Sequence, residues 1–257
     1  MRNCIKIAGV TVDRRSLEEV VDACCDAILT NKIMRIAMIN ARKIKLAHQH
    51  DEILGILNTA TISGADGVSL IAASNLLRTP LRTGRVNGTD LMMELLSASD
   101  DNGFRVFLFG ATQEVLEGCV RVISEQFSGT VICGIRNGYD LSIDYSAEID
   151  QIIQARAQIV FIALPSPAKE RVGKMLEDRC GANVIHGVGG SFDVLCGNIS
   201  RAPVVWQRAG MEWLHRLMKE PVKMAPRVFN ENLYLLKVVA LQLLSLIHIS
   251  EPTRPPE

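Results

Sequence analysis

The sequence predicts an α/β protein, a mostly parallel sheet with helices on both faces. Three observations point there. Short apolar runs alternate with longer stretches of helical periodicity along nearly the whole chain. Hydrophobic residues make up 48% of the 257 but aromatic ones only 5%, so the apolar excess lies in Ile, Val, Leu and Ala, which suits strands buried on both faces. The apolar runs end in glycine-, proline- or asparagine-bearing turns, and open Rossmann-like sheets keep functional groups at those strand ends.

The elements follow in order. A strand over 5–12 ends at Asp13. Ser16, with Glu19 three residues on, forms a capping-box pattern, and Leu17, Val20, Val21, Cys24 and Ile28 carry a helix to Asn31. A strand over 33–39 ends in Asn40, and a helix spans 41–57. The next strand, 59–63, stops at Gly64-Ala65-Asp66-Gly67, and a helix opens at Val68. A polar loop over 82–90 precedes a helix over 91–97. The unit then repeats: strand 105–109 with Gly110 and a helix over 113–127; strand 130–135 with Asn137-Gly138-Tyr139-Asp140 and a helix over 146–155; strand 158–164 with Pro165-Ser166-Pro167 and a helix begun by Lys169 and Glu170. A last strand over 183–188 runs into Gly187, Gly189 and Gly190, and a short apolar helix follows. Right-handed crossovers place these turns on one rim, around a nucleotide-sized crevice.

Composition narrows the function. Lys+Arg and Asp+Glu are 28 each, so no overall charge favours nucleic acid. The seven cysteines form no C-x-x-C pair and no ladder of spacings, which reads as reduced, buried thiols. The N-terminus lacks a signal-peptide pattern, and no stretch reaches the roughly twenty apolar residues of a spanning helix. No Asp-x-Asp pair sits at a strand end, and His48 and His50 do not share a helical face, so no metal site is expected.

Several side chains could carry chemistry, and each has a structural alternative. Asp66, at a strand's end between glycines, is a candidate functional carboxylate or a turn residue capping the next helix. Asp90 or Thr89 can cap the helix after the polar loop. Arg85 ahead of that helix suits a diphosphate or a solvated surface. Tyr139 could pack on a base or ribose, or sit half-buried in the core. The glycines at 187, 189 and 190 could bring a phosphate to main-chain N–H groups and a helix N-terminus, with Asp193 holding a sugar hydroxyl; a tight turn needing small residues is the alternative. Phe192 stands where a dinucleotide fingerprint needs its third glycine.

Taken in order, these motifs resemble the bacterial WecG/TagA/CpsF glycosyltransferase family over roughly residues 5–239. The likeness rests on Ile39-Asn40-Ala41-Arg42-Lys43, Ala65-Asp66-Gly67, Arg85-Val86-Asn87-Gly88-Thr89-Asp90, Phe107-Leu108-Phe109-Gly110, Gly138-Tyr139, Pro167 with Glu170, the 187–193 turn, Arg201-Ala202-Pro203 and Glu212-Trp213-Leu214. The resemblance implies an inverting, metal-independent transfer from a UDP-sugar, of N-acetylmannosamine type or a related hexose, to an undecaprenyl-diphosphate-linked acceptor. It implies Asp66 as catalytic base and Asn40, Arg85, Asn87 and Asp90 on the sugar and acceptor side. Gly110, Tyr139, Pro167, Glu170, Gly187, Gly189, Gly190 and Asp193 then lie near the nucleotide. The chain departs from the family pattern at Met38, Pro165, Lys169 (a Gln position) and Lys223 (an Arg position), changes that bear on the sugar donor more than on the reaction class.

By this reading the α/β core occupies 1–200. A basic, Trp-bearing amphipathic appendage over 201–244 suits an anionic membrane surface, with Arg216, Lys223 and Arg227 toward a lipid diphosphate. A terminal helix docked on the core or in a dimer interface is the alternative. Residues 245–257 read as translated adapter DNA after a truncated frame and receive no function. The work would be done peripherally, on the inner face of the cytoplasmic membrane, in cell-envelope or exopolysaccharide synthesis; self-association is left open. A nucleotide-dependent oxidoreductase and a non-catalytic UDP-sugar-binding module at the membrane stay as rival readings.

Overall fold

The computed structural model describes residues 4–81, 86–179, 181–208, 211–219 and 221–250, without the side chains of Val204, Arg208, Arg216, Lys223, Arg227 and residues 246–250. Where one strand was expected over 5–12, the chain makes an antiparallel hairpin of β1 (Cys4–Ile7) and β2 (Val10–Asp13). Ala8 and Gly9 both take positive φ, 49° and 79°, the backbone that a two-residue hairpin turn demands. Helix α1 (Leu17–Leu29) starts at the Ser16–Glu19 capping box.

Strand β3 (Met34–Ile39) leads into two helices rather than one, α2 (Ala41–Gln49) and α3 (Asp51–Asn58). His50 breaks the run with extended backbone, and its carbonyl accepts the N–H groups of Ile53 and Leu54. The acidic pair Asp51-Glu52 at the new N-terminus was the sequence signal for that restart. Next come β4 (Ile62–Ala65), α4 (Val68–Leu76), α5 (Gly88–Asn102), β5 (Arg105–Gly110), α6 (Gln113–Gln126), β6 (Val131–Arg136), α7 (Ser146–Gln154), β7 (Ile159–Ala163), α8 (Ala168–Asp178), β8 (Val184–Gly187) and α9 (Ser191–Leu195). The appendage is helical: α10 (Val204–Arg208), α11 (Glu212–Lys219) and α12 (Pro221–Ser250).

The main sheet has six strands, all parallel, in the order β4-β3-β8-β7-β5-β6. Alternate residues face opposite layers. Val106, Leu108, Ile159 and Phe161 pack against α1, α5 and α6, whereas Phe107, Phe109, Val160 and Ile162 pack against α7 and α8. Both faces are therefore apolar, which is why these strands read as continuous hydrophobic runs. The first half of the sheet, β3 and β4, meets the second half where β3 pairs with β8, and the turns after these three strands define one end of the rim.

Helix α12 returns across this end. Leu235 and Val239 are buried in the same layer as α2, α3 and the hairpin. Gln242 bonds the backbone of Ala8 and Lys6, and Tyr234 bonds His48, whose other ring nitrogen meets the Ala8 carbonyl at 2.7 Å. One face of the arm is thus docked on the core, while Val222, Phe229, Leu233, Leu236, Leu241 and Leu244 remain exposed. No helix among the described residues is long and apolar enough to cross a membrane.

Candidate active site

Between the sheet rim and the arm lies a cavity of about 1020 Å³. Its floor comes from strand-end turns. Asn40 caps α2 by accepting the Lys43 N–H at 3.0 Å. Asp66 follows β4, held by its N–H on the Ile39 carbonyl at 2.7 Å, and Gly67 at φ 104° turns the chain into α4. Asn87, rather than Thr89 or Asp90, caps α5, accepting from the N–H of Thr89 at 2.7 Å. Gly187, Gly190, Lys43 and Lys169 complete this surface. The facing wall comes from the arm and is mostly apolar, with Trp213, Leu217, Met224, Val228, Phe229 and Leu233 beside Glu212, Glu231 and Asn232.

Under the floor is a buried charge cluster. Lys43 at the start of α2 faces Glu170 at the start of α8, 3.1 Å apart, and both are nearly inaccessible. Burial alone would raise the Glu170 carboxyl; the charges of Lys43 and Lys169, with hydrogen bonds from Lys43 and Ser166, hold it below its ordinary value. One Glu170 oxygen, Oε2, has no hydrogen-bond partner. His186 is fully buried on β8, and desolvation lowers its pKa to about 4, so it is neutral. Its Nε2 lies 3.0 Å from the Gly88 carbonyl, which makes Nε2 the donor and ties β8 to the start of α5.

The arm is coupled to this floor by polar contacts. Asn87 donates to Glu212 at 3.0 Å, Arg201 bridges Glu212 and Asp90, and Thr89 meets Ser191 at 2.8 Å. Asp90 therefore stands behind the cavity wall as an ion-pair partner of Arg201, and Glu212 lines the cavity itself.

The glycine turn works differently from a main-chain cradle. The N–H groups of Val188 and Gly189 donate to the Ile162 carbonyl and that of Ser191 to Val188, so these three are satisfied within the fold. A Cβ on Gly187 or Gly189 would meet the Lys169 side chain, at 3.3 and 3.4 Å, whereas nothing lies within 4 Å of one on Gly190. Helix α9 has only five residues, too few for a sizeable macrodipole.

The sequence-derived candidates thus divide. Asn40, Asp66, Asn87, Gly187 and Gly190 line the cavity, with Gly189 beside it and Glu170 beneath it. Asp193 lies in α9 and Pro167 at the N-terminus of α8, outside the lining. Gly110 and Tyr139 sit on the rim over β5 and β6. Gly110 has φ 111° and packs so closely on Ala163 that a Cβ would come within 2.5 Å of its backbone, while Tyr139 is 61% exposed. Arg85 falls outside the described residues, and the side chains of Arg216, Lys223 and Arg227 are likewise not described. Sequence reasoning assigned no role to Lys43, His186 or Glu212 and met Lys169 only as a departure bearing on the sugar donor; a Lys three residues past the Asn cap, and a Lys-Glu pair opening α8, were the available signals.

The thiols of Cys24, Cys25, Cys119, Cys133 and Cys196 are free, and burial pushes those of Cys24 and Cys119 up to about 12. A six-stranded parallel sheet with a polar, carboxylate-bearing pocket at its rim and an apolar helical wall agrees with one comparison. The chain matches the profile of the glycosyl transferase WecG/TagA/CpsF family over residues 5–248, a span that takes in the docked arm and the first four residues beyond Leu244, and it belongs to that family of glycosyltransferases of cell-envelope polysaccharide synthesis.

Proposed function

We propose that the protein is an inverting, metal-independent glycosyltransferase. It moves a sugar of N-acetylmannosamine type, or a related hexose, from its UDP derivative to an undecaprenyl-diphosphate-linked acceptor. The observation that carries this reading is the two-sided cavity, with the Asp66 carboxylate on a polar floor against a wall of apolar arm residues. Such a space suits a substrate that is sugar and diphosphate at one end and hydrocarbon at the other.

In the reaction the acceptor hydroxyl oxygen attacks the anomeric carbon. Asp66 takes the hydroxyl proton, the bond from that carbon to the diphosphate breaks, and UDP departs with the electron pair. A positioned carboxylate contributes about 10²–10⁴-fold, and alignment of the two substrates in one cavity supplies much of the rest. Asn40 and Asn87 flank the sugar, and the uridine extends over the open rim toward Gly110, Tyr139 and Asp193. The exposed apolar residues of α11 and α12 outside the cavity, among them Met218, Val222 and Leu241, rest on the cytoplasmic leaflet, and the cations at 216, 223 and 227 meet the lipid diphosphate.

The test is a transfer assay with a panel of UDP-sugars and a short-chain polyprenyl-diphosphate N-acetylglucosamine analogue, run with EDTA. Transfer of one sugar under chelation is the expected result. UDP binding without transfer to any lipid-linked acceptor would overturn it.

A further inference from the structure

Among the described residues three cations line the cavity, Arg42, Lys43 and Lys169. Two are matched by carboxylates, Lys43 by Glu170 at 3.1 Å and Arg42 by Glu231 at 3.9 Å. Among the described residues the amine of Lys169 makes neither a hydrogen bond nor an ion pair.

The fold opposes a charge there more than it favours one. Lys169 is the second residue of α8, where the helix end is already positive. The protein strips much of its water, and Lys43 repels it; Glu170 and Asp66 act the other way, but Glu170 is already bonded by Lys43 and Ser166. A neutral side chain of the same length would fit with less electrostatic cost. Yet the stem lies along Gly187 and the amine is placed against Gly189, at the edge of the turn whose Val188, Gly189 and Ser191 N–H groups are bonded inside the fold.

We propose that Lys169 is a specificity-determining residue whose amine binds an oxyanion of the substrate, an oxygen of the leaving diphosphate or a carboxylate on the transferred sugar. The proposal rests on the UDP-sugar reading of the cavity. Among the described residues the cation has no hydrogen-bond or ion-pair partner; an oxyanion supplies a charge-assisted hydrogen bond and offsets its desolvation. Burial and Lys43 hold this amine down to about 8, so an anion that binds above that pH draws a proton onto it. The other groups facing it are Arg42, Glu170, Asp66 and the neutral His186 of β8. Anion affinity accordingly falls as pH rises through 8, where an arginine in the same place would show no such fall.

The test is calorimetric titration of the full chain and of Lys169→Gln with four probes: inorganic pyrophosphate, UDP, UDP-N-acetylglucosamine and UDP-glucuronate. A loss of about tenfold across all four in the variant assigns the oxyanion to the diphosphate. A loss confined to UDP-glucuronate assigns it to the sugar. Pyrophosphate binding that weakens about tenfold in the variant, while UDP binds no better than pyrophosphate to either protein, keeps Lys169 as the anion site and removes the uridine reading. Repeating the titrations near pH 7 and near pH 9 should show weakening with pH in the wild type only. The inference is overturned if the variant equals the wild type on every probe, if both show the same pH dependence, or if the wild type binds none of the four.

Discussion

The two ends of the sheet rim are made from the same strand–turn–helix unit and treat their charges in opposite ways. Over β6 and α7, buried Glu148 is bonded by the N–H and hydroxyl of Ser142 and by Arg136 at 3.2 Å, so that cluster is closed on itself and holds the loop that presents Tyr139. Over β3, β4 and β8, Glu170 keeps an oxygen without a hydrogen bond, and among the described residues the Lys169 amine makes neither a hydrogen bond nor an ion pair. The second end is also the one covered by the arm. Unsatisfied polar groups are costly under cover and cheap in water, so leaving them beneath an apolar wall makes sense when a ligand completes them. The closed cluster positions a loop, and the open one awaits substrate.

The largest expected effect separates chemistry from binding. Asp66→Asn should lower turnover by about 10²–10⁴-fold in the transfer assay and leave UDP affinity, followed by calorimetry, within about twofold. Retained activity would remove the base from this end of the rim. Next, Lys43→Met strands the Glu170 carboxylate in the core and should cost about 3–5 kcal/mol in urea unfolding, with Lys43→Met combined with Glu170→Gln recovering most of that. An equal loss in both variants would mean that packing, not charge, dominates the cluster.

Acid should also find the covered end first. His186 is held neutral with a pKa near 4 against an ordinary 6.5, so between these values the unfolded chain binds the extra proton. Its contribution is complete above pH 6.5 and is lost as pH falls toward 4, a change of order 3 kcal/mol. Glu170, also held below its ordinary 4.5, adds to the loss at still lower pH. His186→Gln should flatten the upper part of the stability–pH curve; an unchanged curve would place the acid sensitivity elsewhere. The smallest effect belongs to the open end, where Tyr139→Ala should weaken UDP by about 1 kcal/mol without altering turnover at saturation. A fall in turnover instead would bring Tyr139 into the chemistry.

Much of this arrangement was legible in the chain. Each strand of the main sheet lies within a few residues of its apolar run, because strands buried on both faces leave no ambiguity of pattern. The Ser16 cap reads directly, since a cap is a contact between residues three apart. Local reading failed where a distant contact or a short backbone anomaly decided. Ala8-Gly9 split one apolar run into a hairpin, and the extended backbone at His50 split one periodic stretch into two helices. For the glycine turn, spacing left a phosphate cradle and a tight small-residue turn both open, because it does not show where the N–H groups of Val188, Gly189 and Ser191 bond.

By itself the sequence determined the α/β class, the strand-end placement of Asn40, Asp66 and the 187–190 glycines, and the likeness that marks the family. Those follow from periodicities and turn residues within about a dozen positions of one another. Only the tertiary structure decided that Lys43 would meet Glu170, that Lys169 would line the cavity beside that pair, and that α12 would return to wall it in. Charges in a folded protein take their energies from burial and from neighbours more than a hundred residues away, and neither is written in local pattern.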